Sequence, residues 1–216
     1  IILFAGLAFA ARANDPIVIA TQDVVPLRGF PNQYIDWITS RYQPALFDAL
    51  TEVADGGEIV PALAVAWRMI DPVTWEFDLR SGVTFSNGEP FDSAAVQQTI
   101  AYLQTDEAAS FPIHQHVSNI AAVEAVTDAK IVIRTKRPDA MLAARLRTVR
   151  ILPPKYFAAV GRAAFSRQPH GTGPFVARTM DRARAVFVAN PRAWRKPKWE
   201  AINFVPVGDV SARAQA

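Results

Sequence analysis

The sequence has no cysteine in its 216 residues, only three histidines and three methionines, and no run of apolar residues long enough to span a bilayer. The first absence removes disulfides, thiolate metal centres and cysteine nucleophiles. The last removes a spanning helix, which needs roughly 20 apolar residues. Catalytic signatures are missing as well. There is no Gly-x-Ser-x-Gly elbow, no Ser-x-x-Lys and no Walker-type or dinucleotide glycine pattern. Gly171-Thr172-Gly173 lacks a third glycine, and Pro174 removes a backbone donor that a phosphate loop would use. The acidic residues show no pairing suited to acid–base chemistry. The formal charge is only +3, with local basic clusters at Arg145–Arg147 and Arg192–Lys198. A nucleic-acid interface needs a basic stripe with interleaved aromatics on one surface, whereas these basic residues are scattered and read as a solvated surface, so no nucleic-acid partner is expected.

What is present is a core. Hydrophobic residues make up 50% and charged residues 20% of the chain, which predicts a folded α/β protein rather than disorder. Ile1 to Ala10 is apolar and small, and Ala11-Arg12-Ala13 has the small-x-small form of a signal-peptidase site. Residues 1–13 are therefore expected to be the remnant of a signal peptide, with the mature protein starting near Asn14. At the other end Asp209 is an N-cap residue for a helix over Val210 to Ala216, which the chain leaves unfinished.

Between these ends the periodicities alternate. Ile17–Ala20 reads as a buried strand, and Gln33–Leu50 carries apolar residues at helical spacing. In Thr74–Leu79, Trp75, Phe77 and Leu79 point one way and Thr74, Glu76 and Asp78 the other, the pattern of a half-buried strand. Val83 and Phe85 resume that alternation after the Ser81-Gly82 turn, and Asn87-Gly88 makes a second tight turn. Asp92 caps a helix striped by Ala95, Val96, Ile100 and Leu103. Val123–Val126 and Lys130–Thr135 read as a hairpin, Pro138–Leu146 as a helix, and Pro153-Pro154 as the start of another short helix through Phe157. Phe175–Ala177, Ala185–Ala189 and Ile202–Val207 read as strands. His114 and His116 form a His-x-His pair, which on a strand would place both rings on one face as weak metal-ligand candidates; a polar loop is the commoner role. His170 is expected in a solvent-facing loop.

Several of these segments together resemble one family, the bacterial extracellular solute-binding proteins of family 5, which serve peptide and nickel ABC importers. Val60-Pro61-Ala62-Leu63-Ala64-Val65-Ala66-Trp67 resembles the family's Val-Pro-x-Leu-Ala-x-x-Trp stretch. Thr74 to Phe91 resembles its strand-turn-strand-turn block. Gly171-Thr172-Gly173-Pro174-Phe175 resembles its Gly-Thr-Gly-Pro-aromatic turn, and Asn190 to Trp194 its Asn-x-x-aromatic-Trp segment. Ile202–Val207 followed by Asp209 resembles the strand leading toward the second lobe.

The resemblance implies a periplasmic-binding-protein type II-like α/β fold, first lobe only. Residues 14–216 would form that lobe, a mixed sheet with helices plus an inserted α+β subdomain over roughly 55–165, with the second lobe absent. It implies a monomeric, non-enzymatic, cofactor-free periplasmic protein that passes a small solute to ABC permease transmembrane subunits. A di- or oligopeptide is the leading ligand; a nickel or other metal chelate, or another small solute, is the alternative. A secreted hydrolase and a cytosolic regulator are remote alternatives. The same resemblance points to ligand-contacting residues. Arg147 lies in Leu146–Ile151, a segment that in nickel-chelate members directs an arginine at the ligand, although Thr148 stands where those members have proline. Arg150 is a second arginine of that segment. Tyr34 and Phe111 lie near aromatic positions of the cleft, and Gln22 and Asp23 follow the first strand. Trp67, Trp75, Phe77, Phe85 and Trp194 are expected in the core.

Overall fold

The computed structural model describes residues 16–21, 30–33, 39–181 and 183–209. The signal-peptide expectation for residues 1–13, the helix over 210–216, and Gln22, Asp23 and Tyr34 all lie outside the described residues.

Two four-stranded sheets organise the chain. The first takes strands from both ends of the sequence: β1 (Ile17–Thr21), β8 (Phe175–Met180), β9 (Ala185–Ala189) and β10 (Ala201–Pro206), in the order β1-β10-β9-β8. β1 runs parallel to β10, with Ile17 opposite Ile202 and Thr21 opposite Pro206. The other pairs of this sheet are antiparallel. The second sheet is local and wholly antiparallel. It consists of β4 (Ala64–Asp71), β5 (Thr74–Leu79), β6 (Ile120–Thr127) and β7 (Lys130–Thr135), in the order β4-β5-β7-β6. A two-stranded ribbon, β2 (Thr51–Val53) and β3 (Ile59–Pro61), lies between them in sequence.

The alternation along β5 explains the second sheet. Trp75, Phe77 and Leu79 are buried, while Glu76 and Asp78 stand on the opposite face. That outer face is a charged ladder: Glu76 pairs with Arg68 at 2.8 Å and with Lys130 at 3.0 Å, and Lys130 also meets Asp78 at 3.0 Å. The Lys130 and Arg68 hydrogen bonds hold the Glu76 carboxyl below its usual range. The inner face receives α2 (Ser93–Leu103), whose Ala95, Val96, Ile100 and Leu103 are buried. Asp92 caps that helix, its Oδ1 accepting from the Ala95 backbone N–H at 3.0 Å, which satisfies one of the donors a helix start leaves open. At Gly88 the backbone takes φ +93, a conformation that glycine adopts without steric cost.

Several elements differ from the sequence reading. Helix α1 is described over Thr39–Leu46, and Phe47–Leu50 follow it as a buried segment outside the helix. Val83 and Phe85 are buried but form no strand; one isolated bridge joins Thr84 to Pro90. The helix expected from Pro138 starts later, as α4 (Leu142–Leu146), because Asp139 is held below by the Asn119 and Arg145 side chains. The short helix expected from Pro153-Pro154 to Phe157 starts at Pro154 and runs on as α5 (Pro154–Arg167), with a break at Gly161, where φ is +68. Trp75, Phe77 and Phe85 are core residues as expected, whereas Trp67 and Trp194 are only partly buried against the core.

An aromatic cluster fills the space between α2 and α5. Phe30 meets Tyr102, Phe157, Phe111 and Phe165 at centroid distances of 5.5, 5.6, 5.9 and 6.1 Å. Burial pushes the Tyr102 hydroxyl up to about 12. Tyr42, Phe187 and Phe204 form a second cluster beneath the first sheet. No helix among the described residues is long and apolar enough to cross a membrane.

Candidate functional site

The centre of the molecule is a buried carboxylate that the sequence reading did not single out. Asp48 follows α1 within the apolar stretch Leu46-Phe47-Asp48-Ala49-Leu50. Its side chain is 2% exposed and accepts three hydrogen bonds. Thr172 Oγ1 donates to Oδ2 at 2.8 Å, Trp194 Nε1 to Oδ2 at 2.9 Å, and Arg195 Nη2 to Oδ1 at 2.6 Å. The Asp48 carbonyl also accepts from the Ile151 N–H at 3.1 Å. A charge is retained in an interior only when it is paired and bonded, and Asp48 is both.

Two motifs converge here. In the Gly171-Thr172-Gly173 turn, Gly173 N–H donates to the Leu46 carbonyl at 3.1 Å. A Cβ at Gly173 would stand 2.5 Å from the Leu46 carbonyl carbon, and one at Gly171 would collide with the Leu46 carbonyl oxygen and the Phe47 ring. The glycines are thus required by the approach of one backbone to another, not by positive φ. Asn190 ties in the second motif, donating from Nδ2 to the Gly173 carbonyl at 2.9 Å and accepting from Arg192 N–H at 3.0 Å. Arg80 lies over the Trp194 ring at 4.2 Å, a cation–π contact.

Beside this hub runs Arg147–Ile151. Asn32 clips Arg150 from both sides: its Nδ2 donates to the Arg150 carbonyl at 2.8 Å and its Oδ1 accepts from the Arg150 N–H at 2.9 Å. Val149 and Ile151 are buried on either side. The Arg150 side chain is partly enclosed, and its Nε is sealed from solvent without a partner. Lost hydration pushes its pKa down, against the attraction of Asp48 and Glu52, while Arg195 and Arg147 repel it. Arg147 is exposed and occupies the C-cap of α4. Both candidate arginines therefore reach one electrostatic neighbourhood. A signal for Asp48 existed, a lone carboxylate inside an apolar run; Asn32 carried none.

The other candidates are dispersed. Phe111 is buried in the aromatic cluster beside Phe30, with the Arg162 guanidinium 5.7 Å from its ring centroid. His114 and His116 lie on the four-residue helix α3 (His114–Val117), not on a strand. At about 100° per residue their side chains diverge by about 200°, so the expected shared face is lost. His114 Nδ1 faces the Leu103 carbonyl at 2.9 Å and must donate to it. His116 Nδ1 meets Thr148 Oγ1 at 3.0 Å; that hydroxyl gives its own hydrogen to the Arg145 carbonyl at 2.8 Å, so His116 also carries its proton on Nδ1. Among the described residues no group of three or more His, Cys, Asp or Glu side chains could hold a metal ion. His170 is not a solvent-facing loop residue. It is half-buried, 2.8 Å from Ser86 Oγ, with its ring edge-on to Tyr156, and burial lowers its pKa. With Ser86, Arg167 and Arg178 it lines a cavity of about 430 Å³.

The chain as a whole is similar to known proteins in sequence and in fold. Residues 58–216 match the family model described as bacterial extracellular solute-binding proteins, family 5 Middle. The nickel-binding periplasmic protein of Escherichia coli K12 is 31% identical over 99% of this chain. An ABC transporter substrate-binding protein from Sinorhizobium meliloti superposes with a TM-score of 0.78 over 94% of the chain, at 26% identity. The oligopeptide-binding protein AppA of Bacillus subtilis, in complex with a nonapeptide, gives a TM-score of 0.83 over 92% at 17% identity, a likeness of fold. The chain spans 42% of the nickel-binding protein and 41% of each of the two structures. Its fold is that of the first part of a periplasmic-binding-protein type II molecule, mixed α/β. The chain belongs to the bacterial extracellular solute-binding proteins of family 5.

Proposed function

We propose that the protein is the substrate-binding component of an ABC-type importer. It captures a small solute outside the cytoplasmic membrane, foremost a di- or oligopeptide, and hands it to the permease subunits. Residues 1–13 act as the signal peptide, residues 14–216 as the first lobe with an inserted subdomain over roughly 55–165, and the protein works as a monomer without a catalytic step or cofactor. The carrying observation is the family match over residues 58–216. The likeness to AppA with its bound nonapeptide supports the peptide reading. Arg147 and Arg150 are the first lobe's ligand-facing cations in this reading, with Gln22, Asp23 and Tyr34 as further contacts.

A second reading, a metal chelate, is favoured by the 31% identity to a nickel-binding periplasmic protein. His114 and His116 each use Nδ1 in a hydrogen bond, which leaves Nε2 as the nitrogen available to a ligand, but on diverging directions. Titration calorimetry on the whole protein decides between the two, with trialanine in one arm and nickel–histidine in the other. Saturable binding of trialanine alone supports the peptide reading, and binding of nickel–histidine alone replaces it. A whole protein that binds neither, and releases no small molecule when denatured, removes the solute-binding role.

A further inference from the structure

The cavity of about 430 Å³ beside His170 takes no part in the Asp48 hub, and neither Arg147 nor Arg150 lines it. Its walls are β8, the end of α5 with the loop after it, and Ser86. β8 is the outermost strand of the first sheet, three strands from β1. At about 4.8 Å per strand the cavity stands about 14 Å from β1. Its polar lining is Ser86, Arg167, Gln168, His170, Arg178 and Thr179, and no described acidic residue joins them. Among the described residues the Arg167 and Arg178 guanidinium groups have no hydrogen bond and no ion pair. The carboxylates nearest in the chain are committed to backbone donors. Glu89 accepts from the Lys155 and Tyr156 N–H groups, both at 2.9 Å, and Asp181 from those of Ala183 and Arg184 at 2.8 and 2.9 Å. Arg167 lies in the last turn of α5, where a cation suits the helix dipole without any ligand. Arg178, on β8, has no such role. Ser86 engages His170 Nδ1 and leaves Nε2 as the ring nitrogen available to a ligand. Burial lowers the His170 pKa, with Glu89 opposing, so at neutral pH the site's positive charge is that of the two arginines. Two guanidinium forks beside the apolar Val176 and Met180 suit a molecule with more than one oxyanion group. The volume falls within the range of small-molecule pockets, about 300–1,000 Å³, and exceeds what a single ion fills.

We propose that this cavity is a second ligand site, set apart from the solute site, for a small molecule with two or more anionic oxygens, held by Arg167 and Arg178 with His170 and Ser86 as polar partners. The inference goes beyond the solute-binding reading and does not depend on it. A polycarboxylate and a phosphate ester share the required acceptor chemistry, so the test carries both. A bound anion would link β8 to the end of α5 across the Gly171–Gly173 turn, whose Thr172 holds Asp48.

The whole protein is prepared as wild type, Arg178→Met, Arg178→Lys and the Arg167→Met/Arg178→Met double variant. Binding of isotopically labelled citrate, inorganic phosphate and acetate is measured by equilibrium dialysis at neutral pH and constant ionic strength. The wild type is expected to bind citrate or phosphate saturably, one per chain, and acetate more weakly. In Arg178→Met the dissociation constant is expected to rise about tenfold through the lost charged hydrogen bonds. Arg178→Lys should fall in between, because a lysine keeps the charge but not the fork, and the double variant should lose saturable binding. Without anion, all variants are expected to unfold at the wild-type temperature. Tighter binding of citrate supports the site and assigns it to a polycarboxylate; tighter binding of phosphate supports it and assigns it to a phosphate ester. No saturable binding of either anion to the wild type, or equal binding to the wild type and the double variant, would overturn the proposal. So would a clear loss of anion-free stability in Arg178→Met, which would mean that its guanidinium has a structural partner. The solute-binding reading fails separately, through the trialanine and nickel–histidine titrations, which the Arg167 and Arg178 substitutions are expected to leave unchanged.

Discussion

Removing the Asp48 carboxylate tests whether three distant segments are held by one group. Asp48→Ala deletes the acceptor of Thr172 Oγ1, Trp194 Nε1 and Arg195 Nη2 and leaves those donors around a small void. Breaking a buried ion pair by removing one partner costs about 3–5 kcal/mol. The Asp48 side chain is 2% exposed, but that of Arg195 is 34% exposed, so water recovers part of the arginine's loss. The expected destabilisation is therefore near the lower bound, about 3 kcal/mol. Asp48→Asn keeps one acceptor oxygen without the charge and should cost about 1.5–3 kcal/mol. The assay is urea unfolding of the whole protein followed by tryptophan fluorescence, for which Trp194 is itself a reporter. Arg195→Met and the Asp48→Ala/Arg195→Met double variant close a cycle. The double variant should be less destabilised than the sum of the single ones, because the second change removes a charge the first left unpaired. A cost below about 1 kcal/mol for Asp48→Ala, or strict additivity in the cycle, would refute the hub.

Gly173→Ala should lower stability by about 1–3 kcal/mol by overpacking, because its Cβ would stand 2.5 Å from the Leu46 carbonyl carbon; a thermal melt unchanged from wild type would show that the turn can withdraw from α1. Asp92→Ala should cost about 0.5–2 kcal/mol through loss of the α2 cap, measured by chemical denaturation, with Asp92→Asn largely restoring it. His170 is held below its unfolded pKa of about 6.5 by burial, with Glu89 opposing. The unfolded chain then binds more protons than the folded one just below that pH, so stability should fall as pH drops through about 6.5 and towards the folded pKa. His170→Gln should flatten that part of the pH profile, and an unaltered profile would show that His170 does not contribute.

Much of the local structure was determined by the sequence alone. The alternation of Thr74–Leu79, the cap at Asp92 and the stripe of α2 appear in the structure where the pattern places them. These are signals of period and of nearest neighbours, and they survive because tertiary contacts reinforce them. The family too was readable, since its glycine turn and tryptophan segment are short linear motifs. Element lengths were less legible. The break at Gly161 and the late start of α4 depend on what each segment packs against, which local propensity does not encode.

Only the tertiary structure decided what the motifs are for. Thr172, Trp194 and Arg195 stand 124, 146 and 147 residues from Asp48, and no periodicity links positions so far apart. The two outer strands of the chain likewise meet only in space, as β1 lies beside β10. The His-x-His pair shows the reverse: its spacing suggested one face, but a helical turn in place of a strand sent the rings apart. The sequence could point to Arg147 and Arg150 only as a pair of charges. Which of them is left without a partner depends on what every neighbouring carboxylate already holds, and that is a property of the folded core.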